Sequence, residues 1–414
     1  MAEAALAAKP FDIEAVRADF PILSRKVYDK PLIYLDNGAS AQKPKAVLDV
    51  IQNAYSNEYA NVHRGLHYLS NTATEAYEAA REKVRAFINA PSVNEVIFTK
   101  GATEAINTVA YGWAMKHLRE GDEIIISIME HHSNIVPWHF LRERMGIKLV
   151  WAPVEDDGSF DLEKLEAQIT SRTKLIAITH MSNVLGTVVP LKKIVEMAHA
   201  RDILVLADGS QAAVHLPVDV QDLGVDFYAF TGHKLYGPTG IGILYGKMDR
   251  LESMQPFQGG GEMITDVFVD EITYGEPPHR FEAGTPPIVQ AIGLGAAIDY
   301  VESIGRQPVL EHENDLRDYA HEQLSRINSL RIIGNAPGKG AILSFEMEGI
   351  HAHDVSMVID RSGVAVRAGT HCAQPLLTRF GVTSTCRASF AMYNTRSEVD
   401  ALAEALERAR SFFA

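Results

Sequence analysis

Seven short apolar runs alternate with helix-length segments between residues 95 and 246, and this succession constrains the fold more than any other feature. The runs are EVIF (95–98), EIIISI (123–128), KLVWAPV (148–154), KLIAIT (174–179), DILVLAD (202–208), FYAFT (227–231) and GIGILYG (240–246). Most are continuously apolar, which is typical of strands buried on both faces of a parallel sheet. Helical candidates such as 103–120 and 191–202 lie between them. The sequence therefore predicts an α/β layered domain with a mostly parallel sheet.

The pattern changes after about residue 295. A long helical stretch leads into the strand candidates LRIIGN, GAILSFEM, VAVRAG and RASFAMYN, and a final helix covers SEVDALAEALERARSFFA. This grouping favours a smaller α+β domain. We expect a large domain over residues 31–295, a smaller C-terminal domain over 296–414, and an N-terminal segment, 1–30, that packs on the smaller domain.

Charge and cysteine content exclude several classes of protein. The formal net charge of −14 disfavours a nucleic-acid groove and binding to anionic membranes. No apolar run approaches the roughly 18 residues that a membrane span needs, and the first residues do not resemble a signal peptide. Only two cysteines are present, which favours a reducing compartment over a disulfide-rich secreted protein. We expect a soluble cytoplasmic protein.

Lys234 and Asp208 each follow an apolar run. Burial disfavours the charge of a lysine and lowers its pKa, which is what a Schiff-base lysine requires, although Lys234 could equally emerge into solvent at its strand end. Asp208 could be a helix cap, or the carboxylate that keeps the pyridine nitrogen of pyridoxal 5′-phosphate (PLP) protonated. Because ligands bind beyond the carboxyl ends of parallel strands, the pair indicates a PLP site.

The segment EVIFTKGATEAIN predicts a strand, a glycine turn and a helix that opens near Thr103. Backbone N–H groups at a helix start can bind phosphate, and the small residues Gly101 and Ala102 would let a phosphate approach. An ordinary threonine cap explains the same residues.

Histidines occur in MEHHSNIVPW and in VHRGLH. His131, near a strand end, could stack on an aromatic cofactor ring or act as an acid–base group. His63 and His67 are four residues apart, but no set of Cys, His and carboxylate residues completes a metal site. We expect no metal.

The segment VRAGTHCAQP places Cys372 in a polar loop beside His371 and close to Arg367. A cysteine in such a setting can be an exposed, reactive thiol. Cys386 precedes an apolar run and is expected to be structural. Arg387 could clamp a substrate carboxylate with two hydrogen bonds, or form a surface ion pair.

Taken together, these segments resemble the SufS-type (group II) cysteine desulfurases and selenocysteine lyases, within the fold-type I (aspartate aminotransferase-like) PLP enzymes. The resemblance runs over nearly the whole chain, through YLDNGASAQKP, NVHRGLHYLS, MEHHSNIVPW, THMSNVLGT, ADGSQA, TGHKLYGPTGIG, QGGGEMI, RFEAGTPP, RAGTHCAQP and CRASFAMYNT. It implies conversion of L-cysteine to L-alanine, with a persulfide left on Cys372. A Suf-type acceptor protein would then take this sulfur for iron–sulfur cluster assembly.

The resemblance also implies roles for individual residues. Lys234 would bind PLP and later move a proton, Asp208 would pair with the pyridine nitrogen, and His131 would stack on the ring. Arg387 would hold the substrate carboxylate, and Cys372 would be the nucleophile. The remaining cofactor site would comprise Ala102, Thr103, Asn183, Gln211, Thr231, His233 and, from the partner subunit of a homodimer, Thr285. Asn183 and His63 are expected to contact the substrate.

One departure from the family pattern lies beside the nucleophile. Many group II members have RxGHHCA, whereas this chain has RAGTHCA, with Thr370 in place of the first histidine. Any acceptor interaction that depends on that histidine is therefore not implied. A selenocysteine lyase, another fold-type I PLP enzyme and a scaffold without cofactor stay as alternatives.

Overall fold

A computed structural model describes residues 11–413 of the chain, so the first ten residues of the expected N-terminal segment lie outside the described part. Its strands are β1 (Lys26–Val27), β2 (Lys30–Pro31), β3 (Ile33–Tyr34), β4 (Val96–Thr99), β5 (Glu123–Ser127), β6 (Lys148–Ala152), β7 (Thr173–Thr179), β8 (Leu204–Asp208), β9 (Phe227–Thr231), β10 (Gly242–Gly246), β11 (Ile264–Val267), β12 (Ile272–Tyr274), β13 (Leu330–Ile333), β14 (Ile342–Met347), β15 (Val364–Ala365), β16 (Arg367–Gly369) and β17 (Thr385–Ser389).

The α-helices are α1 (Ile13–Ala18), α2 (Lys45–Asn53), α3 (Tyr68–Phe87), α4 (Ala102–Val109), α5 (Met115–His117), α6 (Val136–Met145), α7 (Leu162–Glu166), α8 (Leu191–His199), α9 (Ala212–His215), α10 (Val220–Leu223), α11 (Met248–Ser253), α12 (Ile288–Ile304), α13 (Arg306–Ser325), α14 (Ala352–Asp360), α15 (Gln374–Arg379) and α16 (Arg396–Phe413). Within residues 11–413, no single helix is long and apolar enough to cross a membrane, and only α12 and α13, bent by 78°, meet that test as a pair.

The central sheet has seven strands in the order β4-β10-β9-β8-β7-β5-β6. All seven apolar runs form its strands, and β6, β5, β7, β8 and β9 are parallel, which confirms the predicted α/β fold. Strand β10 is antiparallel to both of its neighbours. Apolar clusters cover both faces of the sheet, as expected from continuously apolar strands.

The helix expected over 103–120 is interrupted. After α4 the chain forms a π-helical segment, Ala110–Ala114, before α5. Gly112 in this segment packs closely, since a Cβ there would lie 2.8 Å from the carbonyl oxygen of Gln255. The π segment therefore coincides with a tight backbone contact that the periodicity of the sequence does not reveal.

A second, antiparallel sheet has the order β13-β14-β17-β16, and it packs with α13, α14 and α16 around its own apolar cluster. The N-terminal strand β3 pairs with β15, and Arg17 forms an ion pair with Glu398 at 3.0 Å. The described part of the N-terminal segment thus contacts the C-terminal part of the chain. The domain boundaries at 30 and 295 stay predictions.

Candidate active site

A cavity of about 1180 Å³ opens at the carboxyl ends of the parallel strands. The last residues of β7, β8 and β9, which are Thr179, Asp208 and Thr231, are all buried in its wall. The opposite wall comes from β16, β17 and the loop between them. The cavity therefore lies where open α/β sheets bind their ligands.

Eleven of the thirteen predicted site residues line this cavity. They are Ala102, Thr103, His131, Asn183, Asp208, Gln211, Thr231, His233, Lys234, Cys372 and Arg387. The other two lie elsewhere: Thr285 is exposed, and His63 is exposed with its Nε2 atom 2.9 Å from Glu78 Oε1. Among the described residues, no group of three His, Cys, Asp or Glu side chains is placed to hold a metal ion.

Lys234 lies in the tight turn that follows β9. The turn is closed by a hydrogen bond from the Gly237 N–H to the Gly232 carbonyl. Gly232 is required there because a Cβ would lie 2.7 Å from Ile241 Cγ2. Burial lowers the pKa of Lys234 to about 8, although the nearby Asp208 raises it in part. A substantial fraction of this amine is therefore neutral, and nucleophilic, near physiological pH.

Asp208 has one engaged and one free carboxylate oxygen. Its Oδ1 atom accepts hydrogen bonds from the Ser210 N–H at 3.0 Å and from Ser210 Oγ at 2.6 Å. Within residues 11–413, Oδ2 accepts no hydrogen bond from the protein, although the residue is only 5% exposed. An unpaired carboxylate oxygen on this mostly buried residue of the cavity wall fits a ligand that brings its own N–H group.

His131 is held as a neutral ring. Its Nδ1 atom accepts the Ser133 N–H at 3.1 Å, so the imidazole caps the short helix that begins after it. Burial, and then the charge of Lys234, lower its pKa to about 4. A neutral, fixed imidazole in the wall can stack against a flat ring.

Behind His131, sequence reasoning missed Glu130, which is fully buried. This side chain accepts hydrogen bonds from the Thr179 N–H at 2.9 Å, from Asn134 Nδ2 at 2.7 Å and from Ser127 Oγ. Burial raises its pKa to about 8. Glu130 therefore connects the ends of β5 and β7 to the loop that carries His131. The only sequence signal for this glutamate is its position next to His131 in the motif MEHHSN.

The start of α4 forms a cradle of small groups. The backbone of Gly101 lies so close to β10 that a Cβ on Gly242 would be 2.4 Å from Gly101 Cα. At the first turn of α4, Thr103 Oγ1 lies 2.7 Å from Ser133 Oγ. Free N–H groups at a helix start, beside hydroxyl groups, fit a phosphate.

Arg387 lies on β17 with its side chain only 3% exposed. One guanidinium nitrogen, Nη1, donates to the Asn183 carbonyl at 2.9 Å. Its Nε atom is buried and has no hydrogen-bond partner among the described residues. Burial lowers the pKa of Arg387 to about 10, so the group is still charged at neutral pH. An unsatisfied, charged donor in the wall fits a carboxylate ligand.

Cys372 lies in a strained loop at the opposite wall. His371 and Cys372 both have left-handed backbone angles, with φ of 51° and 54°. The Cys372 thiol is exposed, while its carbonyl accepts the His132 N–H at 2.7 Å. Consecutive left-handed residues other than glycine are costly and point to a functional constraint. Cys386, by contrast, is buried, and burial raises the pKa of its thiol to about 12, in agreement with the structural role expected for it.

Comparison with known proteins agrees with this geometry. Residues 33–402 match the family model for aminotransferase class-V. A probable cysteine desulfurase of Streptomyces coelicolor is 52% identical over 97% of this chain and 98% of its own length. One from Halalkalibacterium halodurans is 49% identical over 95% of this chain and 97% of its own length.

Among solved structures, the cysteine desulfurase CsdA of Escherichia coli is 42% identical, with a TM-score of 0.91 over 98% of this chain and 100% of its own. The resemblance noted in the sequence is thereby confirmed at the level of family and fold. Because the family model spans most of the chain and relatives near half identity span almost all of it, this protein belongs to the aminotransferase class-V family, where it groups with cysteine desulfurases.

Proposed function

We propose that this chain is a PLP-dependent cysteine desulfurase, which converts L-cysteine to L-alanine and keeps the sulfur as a persulfide on Cys372. One observation carries the proposal. A single cavity brings together a half-buried lysine with a lowered pKa, a strand-end aspartate and an exposed cysteine. Aminotransferases need the first two residues but not the third, so the cysteine argues for sulfur chemistry.

The residues present fit PLP. The start of α4, with Thr103 and Thr231, would hold the phosphate, and His131 would lie against the ring. The free Oδ2 atom of Asp208 would accept the pyridine N–H, and Lys234 would attach the cofactor. When bound, PLP supplies an electron sink for bonds broken at the substrate α and β carbons.

Lys234 and Arg387 would handle the amino-acid part of the substrate. The charged guanidinium of Arg387, which lines the cavity and whose Nε atom has no partner among the described residues, would bind the carboxylate and so fix the orientation of L-cysteine. Lys234, with a pKa lowered to about 8, accepts the proton from the substrate α carbon at its Nζ atom.

Cys372 would perform the sulfur step. Its Sγ atom, as a thiolate, attacks the substrate sulfur, so that an S–S bond forms while the bond between sulfur and the substrate β carbon breaks. The electron pair of the broken bond goes to the β carbon, which gains a proton and becomes the methyl group of alanine. No external oxidant is needed, because the β carbon takes up the two electrons that the sulfur gives up when it enters the persulfide.

The active unit is proposed to be a homodimer, and the persulfide acceptor a Suf-type protein. Thr285 is exposed and lies outside the cavity of its own chain. The turn between β11 and β12 presents Val267, Phe268 and Val269 with exposed fractions of 59%, 65% and 100%. Apolar surface of this kind is typical of a contact with another chain. The cytoplasmic location stays a prediction.

The test is a cysteine assay on the wild type and on Cys372→Ala, with Cys386→Ala as the matched control and with or without candidate acceptor proteins. Cys372→Ala is expected to keep the visible absorbance of the bound cofactor but to form no alanine from cysteine. Cys386→Ala is expected to keep both. Full turnover of cysteine by Cys372→Ala would contradict the proposal.

A further inference from the structure

The second histidine of the motif MEHHSN, His132, takes no part in the proposed chemistry. Both of its neighbours, His131 and Ser133, line the cavity, but His132 does not. It contacts the loop that carries Cys372 instead, once through its backbone and once through its side chain. His132 is therefore placed to act on the nucleophile rather than on the substrate.

The backbone contact holds the residue that carries the thiol. The His132 N–H donates to the Cys372 carbonyl at 2.7 Å. Cys372 and the preceding His371 both have left-handed backbone angles, which are disfavoured for any residue other than glycine. A hydrogen bond from outside the loop helps to offset this cost and keeps Cys372 in its strained conformation.

The side-chain contact caps the helix that begins just after the thiol. The N-cap residue of α15 is Ala373, which has no side-chain acceptor, so the N–H of the first helical residue, Gln374, lacks a local partner. This N–H lies 3.3 Å from His132 Nε2. Because a backbone N–H can only donate, Nε2 is the ring nitrogen without a hydrogen. The imidazole therefore caps α15 from a segment that is 242 positions away in the chain.

The two contacts lie on either side of Ala373. One holds the carbonyl of residue 372 and the other holds the N–H of residue 374, while Ala373 itself is fully buried. Two bonds to a single residue fix the direction of the backbone that carries Cys372. A nucleophile reacts only at the right distance and angle, and a small displacement lowers the rate strongly.

We propose that His132 is a positioning residue for the sulfur step, which fixes the loop on both sides of Ala373 so that Cys372 Sγ faces the substrate sulfur. The inference rests on the proposed function, because it takes Cys372 to be the nucleophile. The imidazole acts through the loop, since it lies outside the cavity wall. Loss of its acceptor atom should slow the sulfur step but leave proton transfer at the substrate α carbon unchanged.

Two substitutions separate the acceptor atom from the bulk of the ring. His132→Leu fills similar space without an acceptor, whereas His132→Gln keeps an acceptor oxygen near the position of Nε2. In His132→Leu, kcat for alanine formation from L-cysteine is expected to fall about ten-fold, the size of one lost hydrogen bond, with KM unchanged. His132→Gln is expected to recover most of this rate. His139→Leu is the matched control, because His139 lies outside the cavity, where its ring is 6.3 Å from that of Trp151.

Exchange of the α proton of L-alanine in deuterated water tests whether the effect is confined to sulfur transfer. This exchange on the cofactor-loaded enzyme needs Lys234 but no thiol, so its rate should be the same in wild type and in His132→Leu. Equal slowing of α-proton exchange and alanine formation would overturn the proposal, because the substitution would then act through His131 or the cofactor. Unchanged alanine formation in His132→Leu would overturn it as well.

Amide hydrogen exchange at Gln374 examines the cap without any turnover. In the wild type this N–H should exchange at least about ten-fold more slowly than in an unstructured peptide, and the protection should be lost in His132→Leu and kept in His132→Gln. An unprotected N–H in the wild type would overturn the proposal even if a variant failed to fold. Failure of the wild type to form alanine from cysteine would refute the proposed function, whereas the protection of Gln374 does not depend on it.

Discussion

The two walls of the cavity are built in different ways. The cofactor wall (Thr179, Asp208, Thr231 and Lys234) consists of strand ends and one tight turn of the parallel sheet, and most of its groups are buried. The thiol loop (residues 369–373) belongs to the smaller sheet, has left-handed residues and exposes its cysteine. The rigid wall suits a permanently bound cofactor, whereas the exposed loop suits a sulfur atom that has to leave.

The largest effect is expected when a substitution removes the amine of the cofactor wall. Lys234→Ala should lower cysteine turnover by about 10²–10⁴-fold or more, because both the attachment point and the proton acceptor are lost. Mass spectrometry after borohydride reduction should find the cofactor bound covalently to wild type but not to the variant. Lys192→Ala, which changes an exposed lysine paired with Asp222, is the control and should behave as wild type. A covalent adduct that persists in Lys234→Ala would show that another residue holds the cofactor.

A smaller effect is expected at Arg387, whose proposed partner is the substrate carboxylate. Arg387→Lys keeps a positive charge but loses the planar donor set, so the KM for L-cysteine should rise by about ten- to a hundred-fold, the range for hydrogen bonds to charged groups. Steady-state kinetics measure this change, with the exposed Arg379→Lys as control. A normal KM in Arg387→Lys would place the substrate carboxylate elsewhere.

The pH dependence of cofactor uptake tests the lowered pKa of Lys234. A lysine whose pKa falls from 10.5 to about 8 is protonated below pH 8 and becomes neutral as the pH rises through 8. The rate at which PLP attaches to cofactor-free protein should therefore rise about ten-fold from pH 7 to pH 9, with a midpoint near 8. Asp208→Asn should move the midpoint lower, because Asp208 raises this pKa. A midpoint near 10.5 would show that the amine is not buried as described.

The smallest expected effect concerns strain in the thiol loop. Because Cys372 has a φ of 54°, glycine should fit its conformation better than alanine. Cys372→Gly should exceed Cys372→Ala in free energy of unfolding by about 1 kcal/mol. Urea unfolding followed by circular dichroism compares the two variants. Equal stabilities would mean that the loop relaxes to an unstrained conformation in solution.

Sequence patterns predicted the strand ends of the cofactor wall but not the contacts between distant segments of the chain. Every strand of the large sheet came from one of the seven apolar runs, most of which are continuous, and the strand-end rule then placed Asp208 and Lys234. The same rule, applied to KLIAIT, would have found Thr179. Glu130 was missed because its role depends on a contact distant in the chain, the hydrogen bond from the Thr179 N–H, 49 positions away. Local periodicity carries no information about such contacts.

The hydrogen bond between the Cys372 carbonyl and the His132 N–H, 2.7 Å long, fastens the thiol loop to the segment that carries His131. Swinging the cysteine outward would break that bond and disturb the neighbouring imidazole. We therefore expect the persulfide sulfur on Cys372 to stay at the opening of the cavity, where it is formed. An acceptor would have to insert its own reactive group into the opening, so the depth and width of that opening would select which proteins can collect the product.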